Sequence, residues 1–230
     1  MAIGVPVARP RRTQAERRAT TRRKLLDATI DCLVELGYAR TTTTEVARRA
    51  GVSRGAQLHH FPTKSELVLS AIEHLTARRA EEFRHAFVRL PRGVDRAAAA
   101  VDLLWSIQSQ PSFYAALELL VAARTDPDLR ARIAEMNRRQ AASVEATFRA
   151  LFPAGAGRNR LYAAAPPLAL ALMDGLMLWR IAWDDPPFLR AVMDGLKAFS
   201  REALRDADQS AKKASSGGAR RRPNRPKGRH

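Results

Sequence analysis

The sequence predicts an all-α fold in two parts: a cluster of short helices near the amino terminus, then long helices that build a larger helical domain. Three observations lead there. Apolar residues, 46% of the 230, recur at helical spacing, and strict two-residue alternation is absent. Aliphatic residues and alanine dominate that apolar set. Gly and Pro, 12 and 13 in number, gather where the helical patterns stop. The chain is long enough to bury a sizeable core with a smaller module attached.

The first helix is expected over residues 20–36, where Leu26, Ile30 and Leu33 repeat at the helical period and Gly37 supplies a stop. Cys32 falls inside it and reads as a packing residue; a single cysteine allows no intramolecular disulfide. Thr42, followed three residues on by Glu45, is a capping-box signature that opens a short helix over 43–50, ended by Gly51. Ser53 caps a third helix over 54–60, which Phe61-Pro62 breaks. Thr63 and Glu66 repeat the capping-box signature and launch a long helix to about residue 90. Long helices are then expected over 94–109, 112–124 and 128–151, the last announced by Asp126-Pro127. PAGAGRNR, residues 153–160, reads as a loop before two further helices over 161–183 and 187–204. The stretch 161–183 is the most apolar, but Pro166, Pro167, Asp174 and Arg180 interrupt it. It reads as a buried helix, so no membrane partner is expected.

The net charge of +17 sits mainly at the two ends. Residues 1–24 hold eight Lys/Arg against one Glu, and residues 205–230 hold nine against two Asp, which leaves +3 for the body. Blocks of like charge without apolar residues stay unfolded and lie along polyanions. The expected organisation is therefore a disordered basic arm at 1–19, a small helical domain at 20–66, a large one at 67–206 and a disordered basic tail at 207–230. The charged start lacks a following apolar stretch, so no signal peptide is expected.

Two short helices joined by a glycine turn make a helix-turn-helix. Ala47 is small enough for close crossing, Gly51 can take a positive φ, and Val52 fills the seam. In this motif the first residues of the second helix approach base edges in the major groove, here Arg54, Gly55 and Ala56. An arginine can pair with guanine through two hydrogen bonds, worth roughly 1–3 kcal/mol of discrimination.

The run KLLDATIDCLVELGYARTTTTEVARRAGVSRGAQLHHFPTKSEL, residues 24–67, resembles the amino-terminal domain of the TetR family of transcriptional regulators, the tetracycline-repressor type. The resemblance implies that Thr42, Thr43 and Arg48 hold phosphate, that Arg54, Gly55 and Ala56 face the bases with Ser53 beside them, and that His59 and Lys64 also hold phosphate. Leu58 stands where the family usually has a phosphate-bonding tyrosine, which puts that contact in doubt. Gln57 stands where the family usually places an apolar core residue, which leaves a rotation of the helix open. Adjacent His59 and His60 point about 100° apart on a helix and have no acidic or thiol neighbour, so no metal site is expected. His60 reads as a packing residue beside Phe61.

In the large domain, Leu168, Leu172, Leu176, Trp179 and Trp183 form one stripe and Met173, Met177 and Ile181 another. A helix apolar all round must be covered all round. Leu168, Leu172, Leu176 and Trp183 with Val192, Leu196 and Phe199 are the expected homodimer interface; the resemblance implies the same, through a bundle of the last two long helices. Trp105, Phe113, Tyr114, Met173, Asp174, Met177 and Trp179 are the expected ligand pocket, since aromatics and methionines often line such sites, though they also form plain core. Asp174 and Arg180 could either orient a polar ligand group or pair across the dimer.

No glycine-rich loop follows a strand, and no nucleophile elbow or metal spacing is present, so neither enzyme activity, a catalytic residue nor a cofactor is expected. The expected function is sequence-specific binding of double-stranded DNA. A repressor would be released from an inverted-repeat operator by a small apolar or aromatic effector. Its expected place is the bacterial cytoplasm, on the nucleoid when bound. Two alternatives stand beside it: an activator of the same fold, and a DNA-coating protein driven by the arms, whose binding would be steeply salt-dependent and indifferent to sequence.

Overall fold

The computed structural model describes the backbone of residues 13–153 and 160–217, and the side chains of residues 13–153 and 161–204. Along the chain come α1 (Gln14–Arg40), α2 (Thr43–Ala50), α3 (Arg54–His60), α4 (Lys64–Val88) and α5 (Arg96–Gln108). Then follow α6 (Phe113–Ala123), α7 (Pro127–Leu151), α8 (Arg160–Trp179) and α9 (Pro186–Gly217). No strand occurs among the described residues.

The chain divides into two compact units, Met1–Ala77 with Pro111–Ala134, and Arg78–Gln110 with Glu135–His230. The expected boundary near residue 66 is not where the compact units part, because α6 packs along α1 and so joins the first unit. Helices α4 and α7 each contribute residues to both units.

In the first unit, Leu25, Leu26, Leu33, Val46, Leu67, Ile72 and Leu75 are almost fully buried, together with Leu119 of α6 and Leu129 of α7. Helix α1 starts earlier than expected. Thr13 accepts a hydrogen bond from the Glu16 amide while its own amide donates to the Glu16 carboxylate, a complete capping box. Residues 14–19 of the expected disordered arm are therefore helical, Thr13 caps them, and residues 1–12 lie outside the described part. At the other end Gly37 takes φ 74° and ψ 171°, which breaks the helical geometry where a stop was expected.

In the second unit, Val101, Ala169, Met173, Leu176, Met193 and Leu196 form a buried cluster that unites α5, α8 and α9. Phe87, Phe148, Phe152 and Tyr162 make a separate aromatic cluster, with ring centroids 4.7–5.2 Å apart between successive neighbours. Helix α8 ends at Trp179, four residues earlier than expected, as Arg180 turns to pair with Asp184 at 3.2 Å. Asp185 then accepts from the Phe188 amide and opens α9. Helix α9 continues through Gly217, so residues 207–217 of the expected disordered tail are helical; residues 218–230 and the loop residues 154–159 lie outside the described part. The segment Leu161–Trp179 has a mean hydropathy of 1.5 and is long enough to cross a membrane by composition, yet only 33% of it is buried within the chain.

Candidate nucleic-acid interface

The turn between α2 and α3 is a Schellman motif. Gly51, at φ 62° and ψ 38°, donates its amide to the Arg48 carbonyl, and Val52 donates to the Ala47 carbonyl at 3.0 Å. Val46 and Ala47 are buried beneath it, as the close crossing requires. Ser53 then caps α3 by accepting from the Ala56 amide at 3.2 Å.

These two anchors set the rotation of α3. Gln57 is fully buried and takes the inward position, while Arg54, Gly55, Leu58 and His59 are exposed and Ala56 is half-buried. The rotation left open by Gln57 is thus resolved: this polar side chain occupies the core site. Its Nε2 donates to the Phe61 carbonyl at 2.7 Å, and its buried Oε1 has no hydrogen-bond partner. Arg54 forms no ion pair with another described residue, so its guanidinium is available to an incoming acceptor. A Cβ built on Gly55 would meet nothing within 4 Å, so the fold itself does not require glycine there. Leu58 is 45% exposed and offers only apolar contact.

The flanking positions differ in how free they are. Thr42 accepts from the Glu45 amide at 3.2 Å, which leaves its own O–H to donate outward; Thr43 is half-buried behind it. The expected return contact of a capping box is replaced, because the Glu45 carboxylate turns to Arg48 and Arg49. Arg48 donates to it at 2.8 and 2.6 Å and Arg49 at 2.7 Å, and these bonds hold the carboxyl down to about 2. Arg48, expected as a free phosphate contact, is therefore already paired, although its side chain is well exposed. Lys64 is likewise engaged: its Nζ donates to the Tyr38 carbonyl at 2.6 Å and lies 4.2 Å from the Tyr38 ring centroid. Burial lowers the Lys64 pKa from its ordinary value. On the other side of the same residue, the Tyr38 amide donates to Glu118 of α6 at 2.7 Å. One residue of the first unit is thus held between a carboxylate and an ammonium. Glu118 and Tyr38 are 80 positions apart, and no sequence pattern points to their meeting.

The expected ligand-pocket residues separate. Phe113 and Tyr114 belong to the first unit, where their rings meet edge to face at 5.6 Å. Trp105, Met173, Asp174 and Met177 belong to the second, with Met173 and Met177 fully buried. Two residues that sequence reasoning missed join these four. Gln108 Nε2 donates to Asp174 at 3.1 Å, and Arg79 donates to Gln108 Oε1 at 3.2 Å. Burial pushes the Asp174 carboxyl up, against the pull of Gln108 and Arg79. Arg180 lies 5.8 Å from the Trp105 ring centroid. Asp174 and Arg180 thus each have partners within their own chain.

Trp179 is 58% exposed and does not line this interior group; it stacks with Trp183 and Phe188 in an outer cluster with centroids 5.0–6.5 Å apart. Of the expected dimer residues, Leu176 and Leu196 are buried in the chain's own core, and Leu172, Val192 and Phe199 pack against it. Leu168 and Trp183 remain exposed. Leu168 shares an outward face of α8 with Ala164, Ala171 and Leu178, Trp183 lies in the turn between the two helices, and α9 exposes Ala191, Gly195 and Ala198 beside Arg190 and Asp194; sequence periodicity did not single out these faces.

Comparison with known proteins places this architecture. The profile of the tetR family of bacterial regulatory proteins matches residues 25–71. The HTH-type transcriptional regulator CymR of Pseudomonas putida is 42% identical over 131 residues, which are 56% of this chain and 64% of that protein. An HTH-type transcriptional repressor of Mycobacterium tuberculosis is 30% identical over 178 residues, 76% of this chain and 90% of its own length. A solved transcriptional regulator from Rhodococcus superposes with a TM-score of 0.59 at 27% identity, over 80% of this chain and 96% of that one. The chain belongs to the TetR family of bacterial regulatory proteins, DNA-binding transcriptional regulators of the helix-turn-helix type.

Proposed function

We propose that the protein is a homodimeric repressor that reads an inverted-repeat operator through α3 and is released by a small apolar or aromatic effector held in the second unit. One observation carries the DNA half of this reading. The outward face of α3 combines an arginine that pairs with no other described residue and a glycine that the fold does not need. A glycine inside a helix costs up to about 1 kcal/mol relative to alanine, and close approach of another molecule gives that cost a purpose. Thr42, Thr43, Ser53, Ala56 and His59 frame the same face and supply phosphate contacts. Arg48 and Lys64 join them only by exchanging Glu45 and Tyr38 for phosphate.

The dimer rests on the uncovered apolar face of α8 and on the small residues that α9 exposes beside Arg190 and Asp194. A stripe of exposed alanine and leucine on α8, beside the exposed alanines and glycine of α9, is a surface that a second copy covers economically. Leu168 and Trp183 stay in this interface; Leu176 and Leu196 act from beneath, by holding the two helices in place. Two copies would set their recognition helices about 34 Å apart, one turn of DNA. The effector reading rests on the Arg79–Gln108–Asp174 chain among Trp105, Met173 and Met177, polar groups of the kind that orient a mostly apolar ligand. The sign of regulation follows the M. tuberculosis repressor. The protein would act in the cytoplasm, on the nucleoid.

Footprinting on a bound duplex, with sedimentation of the free protein, tests the assembly. Two equivalent protected half-sites and a dimeric mass are expected. A monomeric mass with a single protected half-site would overturn the dimer.

A further inference from the structure

We propose that the amino-terminal half of α1 is a second DNA contact, in which Arg18 and Arg22 grip backbone phosphates beside the major-groove site read by α3. This deepens the DNA-binding reading and rests on it. The segment Gln14–Lys24 lies ahead of the residues that match the family profile, which begins at residue 25. It is a helix with its own complete cap. It carries Arg17, Arg18, Arg22, Arg23 and Lys24 against a single acidic residue, Glu16, whose carboxylate closes the capping box.

Arg18 and Arg22 are one helical turn apart and so share a face. Both are exposed, and neither forms an ion pair with another described residue. In this they differ from Arg48 and Arg49 of α2, which Glu45 and Glu35 already neutralise. Their place relative to α3 is set by Phe61, the buried residue that ends that helix. The Arg22 guanidinium carbon lies 5.4 Å from the Phe61 ring centroid, and the His60 ring lies 6.3 Å from the same ring. His59 follows at 5.8 Å from His60. Arg18, Arg22, His60 and His59 therefore make a continuous basic ridge along one end of the recognition helix. Arg18, Arg22 and His59 also help burial to depress the His60 pKa, as close positive neighbours must.

A duplex phosphate backbone is the occupant that fits. It lies beside any major groove entered by α3, and arginine forks match phosphate oxygens. A capped helix also presents these forks in fixed order, which lowers the entropy lost on binding relative to a floppy arm. Phosphate contacts fix the protein on the duplex without reading sequence.

The test measures affinity against salt on a selected operator and on an unrelated duplex, using the full chain. Arg18→Gln, Arg22→Gln, their double variant, Arg22→Lys and Arg54→Ala are compared with wild type. Each lost phosphate contact should shrink the log–log salt slope by about 0.9. The double variant should lose nearly twice that, weaken both duplexes by the same factor and leave the base consensus unchanged. Arg22→Lys should keep the wild-type slope, which separates charge from packing on Phe61. Because Arg18 forms no hydrogen bond or ion pair with another described residue, Arg18→Gln alone decides should Arg22→Gln destabilise the protein. An unchanged slope in Arg18→Gln and in the double variant overturns the proposal. Arg54→Ala reports separately: if it leaves the consensus intact while the ridge variants shrink the slope, the ridge stands and the base-reading assignment falls.

Discussion

Gly37→Ala probes the joint that holds Tyr38 between α6 and Lys64. Gly37 lies at φ 74° and ψ 171°, a region that is essentially restricted to glycine and costs other residues about 1–3 kcal/mol. The new Cβ would also stand 2.9 Å from Glu118 Oε2 and 3.2 Å from its Cδ. The carboxylate can swing away, but only by releasing the Tyr38 amide, a further loss of about 1–2 kcal/mol at this half-buried site. Together these predict a loss of about 2–5 kcal/mol, or roughly 5–15 °C in melting temperature for a chain of this size. Thermal unfolding followed by far-UV circular dichroism measures it. Gly51→Ala is the internal comparison: its φ of 62° is also positive, but its Cβ would meet nothing within 4 Å, so about 1–2 kcal/mol is expected. In a Glu118→Ala background the two changes should be non-additive, since they share one contact. A melting temperature within about 1 °C of wild type for Gly37→Ala, or an equal cost in both backgrounds, would show that neither the backbone at Gly37 nor Glu118 constrains this joint.

Gly55→Ala should stabilise the free protein by about 0.5–1 kcal/mol, because nothing crowds the new methyl, and should weaken operator binding; unchanged affinity would remove the reason given for glycine there. Gln57→Leu relieves a buried Oε1 that lacks a partner but also takes the Nε2 donor from the Phe61 carbonyl, so a net change within about 1 kcal/mol is expected, whereas Gln57→Ala adds a cavity and should cost about 1–3 kcal/mol more; chemical denaturation compares them. His60 should link both stability and binding to pH. Its pKa is depressed below the ordinary 6.5, so the unfolded chain takes the proton first, and stability is full above that pH and falls as pH drops through the lowered value. A neighbouring phosphate would raise the same pKa, so duplex affinity should increase on acidification from about pH 7.5 to about pH 6, and His60→Asn should flatten both profiles.

The short helices were the most legible part of the fold. Thr42, Gly51, Ser53 and Phe61-Pro62 punctuate α2 and α3 so densely that both were bounded by local chemistry alone. Long helices were less legible at their ends. The Thr13–Glu16 signature was present in the sequence, but the run of charge around it looked like a solvated arm, and no apolar stripe marked it as helix. Helix α9 outran its apolar pattern in the same way. In the candidate interface, residue types pointed to the face of α3 that is exposed but not to which cations are already paired. The Glu45–Arg48 and Glu45–Arg49 spacings are the usual helical ion-pair intervals and could have warned of it. The contacts of Lys64 with Tyr38, of Tyr38 with Glu118, and of Gln108 with Asp174 join residues 26, 80 and 66 positions apart. Such pairings follow from tertiary packing, which periodicity does not encode. The same holds for the residues expected at a dimer interface: the sequence marked the helix over 161–183 as apolar all round, and only packing decided that Leu176 and Leu196 turn inward.

Whether α3 reads bases through Arg54 is decided by selecting bound duplexes from a random DNA pool, with wild type and Arg54→Ala in parallel. An inverted-repeat consensus is expected for the wild type, with half-sites about one helical turn apart. For Arg54→Ala, discrimination should relax at one position in each half-site, by about 1–3 kcal/mol. A pool that yields no consensus, or a consensus that the Arg54 substitution leaves untouched, would contradict base reading through Arg54.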